Sequence, residues 1–293
     1  MFHLASSLYT QYTKREQYNV LILGLDNAGK TTFLEHMKLL FPVEITGGGS
    51  STINRKESSP MSDDTRSTPE ILKSKRILPT VGQNTTTIRF PIGGLGHGSS
   101  SGTGGVSNRR SSVVGAANNR NNNLGAVQNK GKSINLKFWD LGGQQLLRSM
   151  WCRYYRDCHG IIFLIDSTDQ ERFQECYDTL MAIAHDEKWH TNNTTNNINN
   201  NNNDETQGLQ SEMEEDMVNV PILVLANKQD LPQAVDLVSL KTGVFIRLVS
   251  ELEATDSKLL PVSVLENEGL VDSLEWLVTR LMYNKGNKKP EYR

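Results

Sequence analysis

Cysteine is scarce in this chain. Its 293 residues include three, Cys152, Cys158 and Cys176, and that odd, unclustered set builds neither a disulfide framework nor a CxxC metal site. A reducing compartment is the expectation. No run of about 18 apolar residues occurs, which excludes a membrane-spanning helix. Neither charge predominates: 31 Lys and Arg stand against 33 Asp and Glu, a net charge of -2. Such balance argues against a surface built for nucleic acid. The start of the chain lacks a basic stretch followed by an apolar one, so no secretory signal is expected. Apolar residues are also few, at 37%, beside 22% charged. That share is low for a fully packed chain, yet the charges are too mixed for a wholly disordered one. A normal domain diluted by polar insertions satisfies both.

Three stretches carry the dilution. Segment 44–75 is rich in Gly, Ser and Thr, segment 91–132 runs from PIGGLGHGSSSGTGG through NNRNNN, and segment 189–217 contains NNTTNNINNNNND and then EMEED. None shows helical or strand periodicity. Without them roughly 190 residues remain, one domain of ordinary size. Closure entropy grows slowly with loop length, so a folded core tolerates such insertions.

The remainder alternates strands and helices. Tyr18–Leu23, Thr85–Phe90, Ile134–Phe138, Gly160–Ile165, Val220–Ala226 and Leu259–Val264 are strand candidates. GIIFLI and VPILVLA are near-continuous apolar runs, which suit strands buried on both faces of a parallel sheet. A helix is expected from about Lys30 to Phe41. Another is expected where Val271, Leu274, Leu277, Val278 and Leu281 repeat at helical spacing. The expected class is α/β, a mostly parallel six-stranded sheet flanked by helices.

Residues 24–31 read GLDNAGKT, a GxxxxGKS/T phosphate loop between a strand and a helix. Gly24 and Gly29 let backbone N–H groups approach phosphate oxygens, Lys30 is placed for the β- and γ-phosphates, and the Thr31 hydroxyl for Mg²⁺. The loop does not choose the base. Asn227-Lys228-Gln229-Asp230 follows the apolar strand that ends at Ala226, where parallel sheets present ligand loops. The Asp230 carboxylate would accept from guanine N1–H and its exocyclic amine, a donor pair that adenine lacks. Ser263-Val264-Leu265 follows the sixth strand, where a backbone N–H would meet guanine O6. Asp140-Leu141-Gly142-Gly143-Gln144 follows the third strand. There Asp140 would hold the Mg²⁺ shell, the Gly143 N–H would reach the γ-phosphate, and Gln144 would orient the attacking water. In Pro79-Thr80-Val81-Gly82, Thr80 is the natural second hydroxyl ligand to Mg²⁺. The expected nucleotide contacts are therefore Gly24, Asp26, Asn27, Ala28, Gly29, Lys30, Thr31, Thr32, Thr80, Asp140, Gly143, Asn227, Lys228, Asp230, Ser263 and Val264. Thr31 and Thr80 are the metal ligands and Gln144 the catalytic residue.

GLDNAGKTT, PTVGQN, FWDLGGQ, NKQD and a tryptophan helix near the C-terminus resemble the Arf family of small GTPases. MFHL, EQYNVLILGLDNAGKTTFLE and LRSMW…YY…CHGIIF are most similar to its Arf-related branch at the trans-Golgi. The resemblance spans the core and none of the insertions. It implies GTP/GDP exchange, slow hydrolysis that depends on an activating protein, an exchange factor, and effectors read by the switch regions with Trp139 and Tyr154. It further implies a peripheral, monomeric protein of the cytoplasm and the cytoplasmic Golgi face. Asp26 stands where many other small GTPases have Gly. Gln83 replaces the aromatic residue that Arfs show in PTxGxN, and Val264 replaces a small Ala beside the base. A phosphate-loop kinase or ATPase is opposed by NKQD. A module that holds GTP but barely hydrolyses it is kept alive by Asp26. A heterotrimeric Gα is opposed by segment 44–75, too short and too polar for its helical domain.

Residue 2 is Phe2, so N-myristoylation is excluded. At about 100° per residue, Met1, Phe2, Leu4, Ala5, Leu8, Tyr9 and Tyr12 share one half-circle, an amphipathic helix over 1–15 suited to a membrane interface. The resemblance adds an acetylated N-terminus read by a Golgi membrane protein. The expected layout is this helix, one GTPase domain over 16–288 interrupted by the three insertions, and a basic tail over 285–293. Segment 91–132 carries Arg109, Arg110, Arg120, Lys130 and Lys132 without an acid, whereas segment 189–217 carries six acids and no Lys or Arg. The basic loop would attract anionic lipid, and Arg109-Arg110-Ser111-Ser112 resembles a basophilic kinase site.

Overall fold

The computed structural model describes residues 15–44, 67–92, 132–186, 220–246 and 256–292. The expected N-terminal helix and nearly all of the second and third insertions, with Ser111 and Ser112, lie outside the described residues. The chain divides into two units, 1–90 with 134–293, and 91–133. In the smaller unit the Ile92 N–H donates to the Lys132 carbonyl at 2.7 Å.

All six strand candidates form strands: β1 (Glu16–Gly24), β2 (Gln83–Pro91), β3 (Ser133–Leu141), β4 (Gly160–Asp166), β5 (Ile222–Asn227) and β6 (Lys258–Pro261). Their order across the sheet is β2-β3-β1-β4-β5-β6. β1 runs parallel to β3 on one side and to β4 on the other, and β4, β5 and β6 continue in parallel. The chain therefore passes from β1 to the edge strand β2, returns through β3 beside β1, then crosses to the other side of β1 with β4. At such a reversal the loops leaving the carboxyl ends of the strands diverge and open a crevice for a ligand.

Helices cover both faces. Every residue of β4 is buried. Its Ile161, Phe163 and Ile165, with Leu21 and Leu23 of β1, pack against Cys176, Leu180 and Ile183 of the helix Phe173–Ala184. On the other face Phe138 meets Phe33 of helix α1 (Lys30–Leu40) edge-on, with ring centroids 6.1 Å apart. There Gly160 also lies against Leu277 and Leu281 of the helix Leu270–Tyr283. Burial on two faces is why these strands read as continuous apolar runs. Each fully buried Leu, Ile or Phe contributes about 1.5–3 kcal/mol to this three-layer packing.

The first insertion is not featureless up to residue 75. Helix α2 (Thr68–Ser74) forms inside it, with Leu72 at 2% exposure. The Ser67 N–H donates to Glu70 Oε2 at 2.8 Å, half of a capping box. Ser67-Thr68-Pro69-Glu70 spells that box, with Pro in the first turn where it costs nothing. The compositional bias of the segment concealed it. In chain order the later helices are α3 (Gln145–Arg148), α4 (Phe173–Ala184), α5 (Leu237–Thr242) and α6 (Leu270–Tyr283).

A seventh strand forms in the expected basic tail. β7 (Glu291–Tyr292) pairs antiparallel with the start of β1. Gln17 and Asn19 are each 1% exposed and need partners for their amides. The Glu291 carboxylate supplies them, accepting from Gln17 Nε2 at 2.9 Å and Asn19 Nδ2 at 2.7 Å. The Lys289 carbonyl and His159 Nε2 meet at 3.0 Å. Among the described residues no helix is long and apolar enough to cross a membrane.

Candidate functional site

β1 delivers the chain into the loop 24–29, and α1 leaves from it. Gly24 has φ 137° and Gly29 φ 94°. A Cβ on Gly24 would run into the Leu164 carbonyl oxygen of β4, and one on Gly29 into the Asn227 side-chain amide. Both positions therefore need glycine for conformation and for close approach. Asn27 is also left-handed, at φ 62°. Lys30 is 6% exposed, and its Nζ donates to the Leu25 carbonyl at 2.5 Å. Burial pushes its ammonium down to about 8, against the pull of Asp140 and Asp26. Asp26, Asn27, Gly29, Lys30, Thr31 and Thr32 line one cavity with Ile77–Thr80, Gly143 and Gln144. The phosphate loop and both glycine-bearing turns downstream are thus brought together.

Asp26 does not stand alone. Arg172 Nη1 donates to its carboxylate at 3.0 Å, while Arg172 Nε holds Asp169 at 2.5 Å. Sequence reasoning missed this arginine, which lies 146 residues away with no motif around it.

Three oxygens converge beside Lys30. Thr31 Oγ1 lies 2.8 Å from Thr80 Oγ1 and donates to Asp140 Oδ2 at 2.8 Å, and Thr80 Oγ1 reaches the same carboxylate oxygen at 3.1 Å. Asp140 has no exposure, and burial raises its carboxyl above the ordinary range against hydrogen bonds from both threonines. Its Oδ1 is buried without a partner. An unsatisfied buried carboxylate oxygen next to two hydroxyls is an all-oxygen donor set, the kind that suits Mg²⁺. Among the described residues no group of three His, Cys, Asp or Glu is placed to hold a metal.

The base loop is tied to the phosphate loop by Asn227. Its Nδ2 donates to the Ala28 carbonyl at 2.9 Å, and its Oδ1 accepts from the Val264 N–H at 3.0 Å. The Val264 amide is thus committed to protein, and the Ser263 N–H donates to Glu268 at 3.1 Å. Leu265, next in the chain, is half-buried. Ser263 contributes its hydroxyl, which donates to Asp230 Oδ1 at 2.6 Å. Lys228, at φ 67°, pairs with Asp166 at 2.5 Å. Burial alone would raise the Asp166 carboxyl, but Lys228 and Thr168 more than offset it and hold it low.

His36 of α1 supports the same loop from below. It has no exposure, and its Nδ1 meets the Val264 carbonyl at 2.5 Å while Nε2 is buried without a partner. Burial pushes the imidazole below its ordinary 6.5, with the Val264 bond opposing. His159 is lowered likewise by burial. A depressed folded value means that the unfolded chain binds more protons, so stability is lost as pH falls through about 6.5 and below. The melting temperature should drop on acidification from pH 7 to 5. His36→Gln, which keeps a donor without the charge, should lessen that drop. Thermal melts across the pH series check it.

Past β3, the Gly142 N–H donates to the Gly82 carbonyl at 3.1 Å, and Trp151 Nε1 donates to the Gly142 carbonyl at 3.0 Å. The two turns that carry Thr80 and Gln144 are therefore bonded to each other. Gln144 itself is exposed at the start of α3. Arg148 Nε reaches back to the Gly143 carbonyl at 2.9 Å. Trp139 and Tyr154 form a T-shaped pair with centroids 5.4 Å apart, while Val81 and Leu146 beyond them are 83% and 90% exposed.

This assembly, a phosphate loop at a sheet reversal with a base loop and two bonded turns, defines a guanine-nucleotide-type domain. The family model of the ADP-ribosylation factor family matches residues 4–50, 119–213 and 199–281. The chain is 34% identical over 293 residues to ADP-ribosylation factor-like protein 3 of Saccharomyces cerevisiae, covering 100% of each chain. It is 28% identical over 284 residues to human ADP-ribosylation factor-related protein 1, covering 97% of this chain and 94% of that one. Its fold is similar to that of the Arl6 BBS3 small GTPase of Trypanosoma brucei, solved with the nucleotide analogue GppNp. There the TM-score is 0.52 at 17% identity, over 92% of this chain and 99% of that one. The chain belongs to the ADP-ribosylation factor family of small GTPases, which are GTP hydrolases in general.

Proposed function

We propose that this chain is a regulatory guanine-nucleotide switch that binds GTP and GDP and hydrolyses GTP slowly until an activating protein assists. The carrying observation is the Asn227 amide. One side chain joins the phosphate loop at Ala28 to the base loop at Val264, so both halves of a nucleotide site are held in one frame. In this reading the amides of Gly24–Thr32 cradle phosphate, Lys30 supplies a desolvated positive charge, and Asp230 accepts from the guanine edge. Thr31, Thr80 and Asp140 would hold Mg²⁺, which when bound neutralises phosphate charge. Gln144 orients the attacking water. Its exposed position leaves room for the activating partner.

The single GTPase domain over 16–288 is interrupted by the three insertions. The GTP form acts at the cytoplasmic face of the trans-Golgi, recruiting trafficking effectors through Trp139, Tyr154 and the exposed Val81 and Leu146. An acetylated N-terminus and its amphipathic helix supply the membrane contact and the receptor contact, and an exchange factor reloads the site. A GTP-holding module with little hydrolysis is the second reading, favoured by Asp26 at the phosphate loop. Single-turnover hydrolysis with an Arf-type activating protein separates the two. Gln144→Leu should slow the assisted reaction about a hundredfold with GTP affinity unchanged, since water is misplaced rather than nucleotide. An assisted wild-type rate no faster than Gln144→Leu would favour the holding module.

A further inference from the structure

Helix α2 belongs to no motif and lies in a segment with no expected structure, yet it touches both halves of the site. Leu72 is buried, and α2 packs on α1. Lys75 ion-pairs with Glu35 of α1, which also holds Lys38 at 2.7 Å. Lys73 Nζ meets Glu266 Oε1 at 2.5 Å. Glu266 is part of the base loop: its N–H donates to Ser263 Oγ at 3.1 Å, and that hydroxyl donates to Asp230 Oδ1 at 2.6 Å. Lys73 thus holds the side chain of the residue whose backbone N–H bonds Ser263, and Ser263 in turn bonds the Asp230 carboxylate. The Lys73 ammonium is raised above its ordinary range by Glu266 first, with Asp230 adding to it. In the other direction the backbone leaves α2 at Ser74 and enters Ile77–Thr80, which line the phosphate cavity.

We propose that α2 is a clasp that couples the base loop to the Thr80 segment and slows nucleotide release. Lys73 is its positioning residue, acting on Asp230 through Glu266 and Ser263. The clasp rests on the reading of this site as a guanine-nucleotide site. Undocking α2 would free both the roof that carries Thr80 and the brace behind Asp230. A partner that pried up this one helix would loosen the nucleotide at its base and at its phosphates together.

Release of a fluorescent methylanthraniloyl GDP from the full chain into excess GDP tests this. Lys73→Glu should speed release about two- to fivefold, the range for an exposed ion pair replaced by repulsion. Glu266→Lys should do the same, and the charge-swapped double variant should return toward the wild-type rate. Leu72→Asp, which undocks the helix, should speed release at least about tenfold. Inosine diphosphate lacks the exocyclic amine read by Asp230. If Lys73 acts through that carboxylate, Lys73→Glu should narrow the preference for GDP over inosine diphosphate. A merely structural role would leave the ratio unmoved. Wild-type release rates in Lys73→Glu and Leu72→Asp would overturn the clasp alone. An unrescued double variant with an unchanged base ratio would overturn the role of Lys73. No binding of the fluorescent GDP by the wild-type chain would overturn the site reading and the clasp with it.

Discussion

Asp230→Asn should weaken GDP and GTP binding at least about a hundredfold and strengthen binding of xanthine nucleotides. The carboxylate accepts; it has no proton to give. Ser263 Oγ occupies one lone-pair site of Oδ1, and among the described residues Oδ2 has no partner. A carboxylate offers about four such sites, enough for both donors of the guanine edge. An amide in its place turns one acceptor into a donor that faces the guanine amine. A buried mismatch of this kind costs far more than the net worth of one hydrogen bond. Xanthine carries a carbonyl where guanine carries the amine, so the new N–H finds an acceptor. Competition against fluorescent GDP by each nucleotide measures both changes. Unchanged selectivity in Asp230→Asn would remove this residue from base recognition.

Asn227→Ala should raise the rate of nucleotide release by at least about thirtyfold. The substitution removes the two bonds at Ala28 and Val264 and leaves a buried carbonyl and a buried N–H unpaired. Each orphaned group costs about 1–3 kcal/mol. The freed groups belong to the two loops that grip opposite ends of the ligand, so the loss falls on their relative placement. The fold itself should survive, since neither bond lies within the sheet. Stopped-flow release, with circular dichroism as the check on folding, separates the two effects.

The most legible parts of this molecule are those whose physics is local. β4 and β5 are buried on both faces, so their apolar runs stand out without any knowledge of neighbours. The phosphate loop is legible because Gly24 and Gly29 must adopt conformations that disfavour other residues. What stayed hidden depends on partners distant in the chain. β7 has two residues, and its strand exists because Gln17 and Asn19 need Glu291 some 270 residues on. The Asp26–Arg172 pair and the His36–Val264 bond are of the same kind. Asn227 was expected at the nucleotide. Both ends of its amide also hold protein, a role visible only once Ala28 and Val264 are seen beside it. The capping box of α2 is the exception, a local signal masked by the serine- and threonine-rich composition around it.

The account turns on one discrimination, guanine over adenine, at a loop whose phosphate contacts serve either base. Displacement of fluorescent GDP from the full chain by GDP, GTP, ADP and ATP measures it directly. Guanine nucleotides should displace the probe at concentrations at least about a thousandfold below those needed for adenine nucleotides. Equal displacement by ATP and GTP would contradict the role of Asp230 and make the chain a general phosphate-loop nucleotide binder.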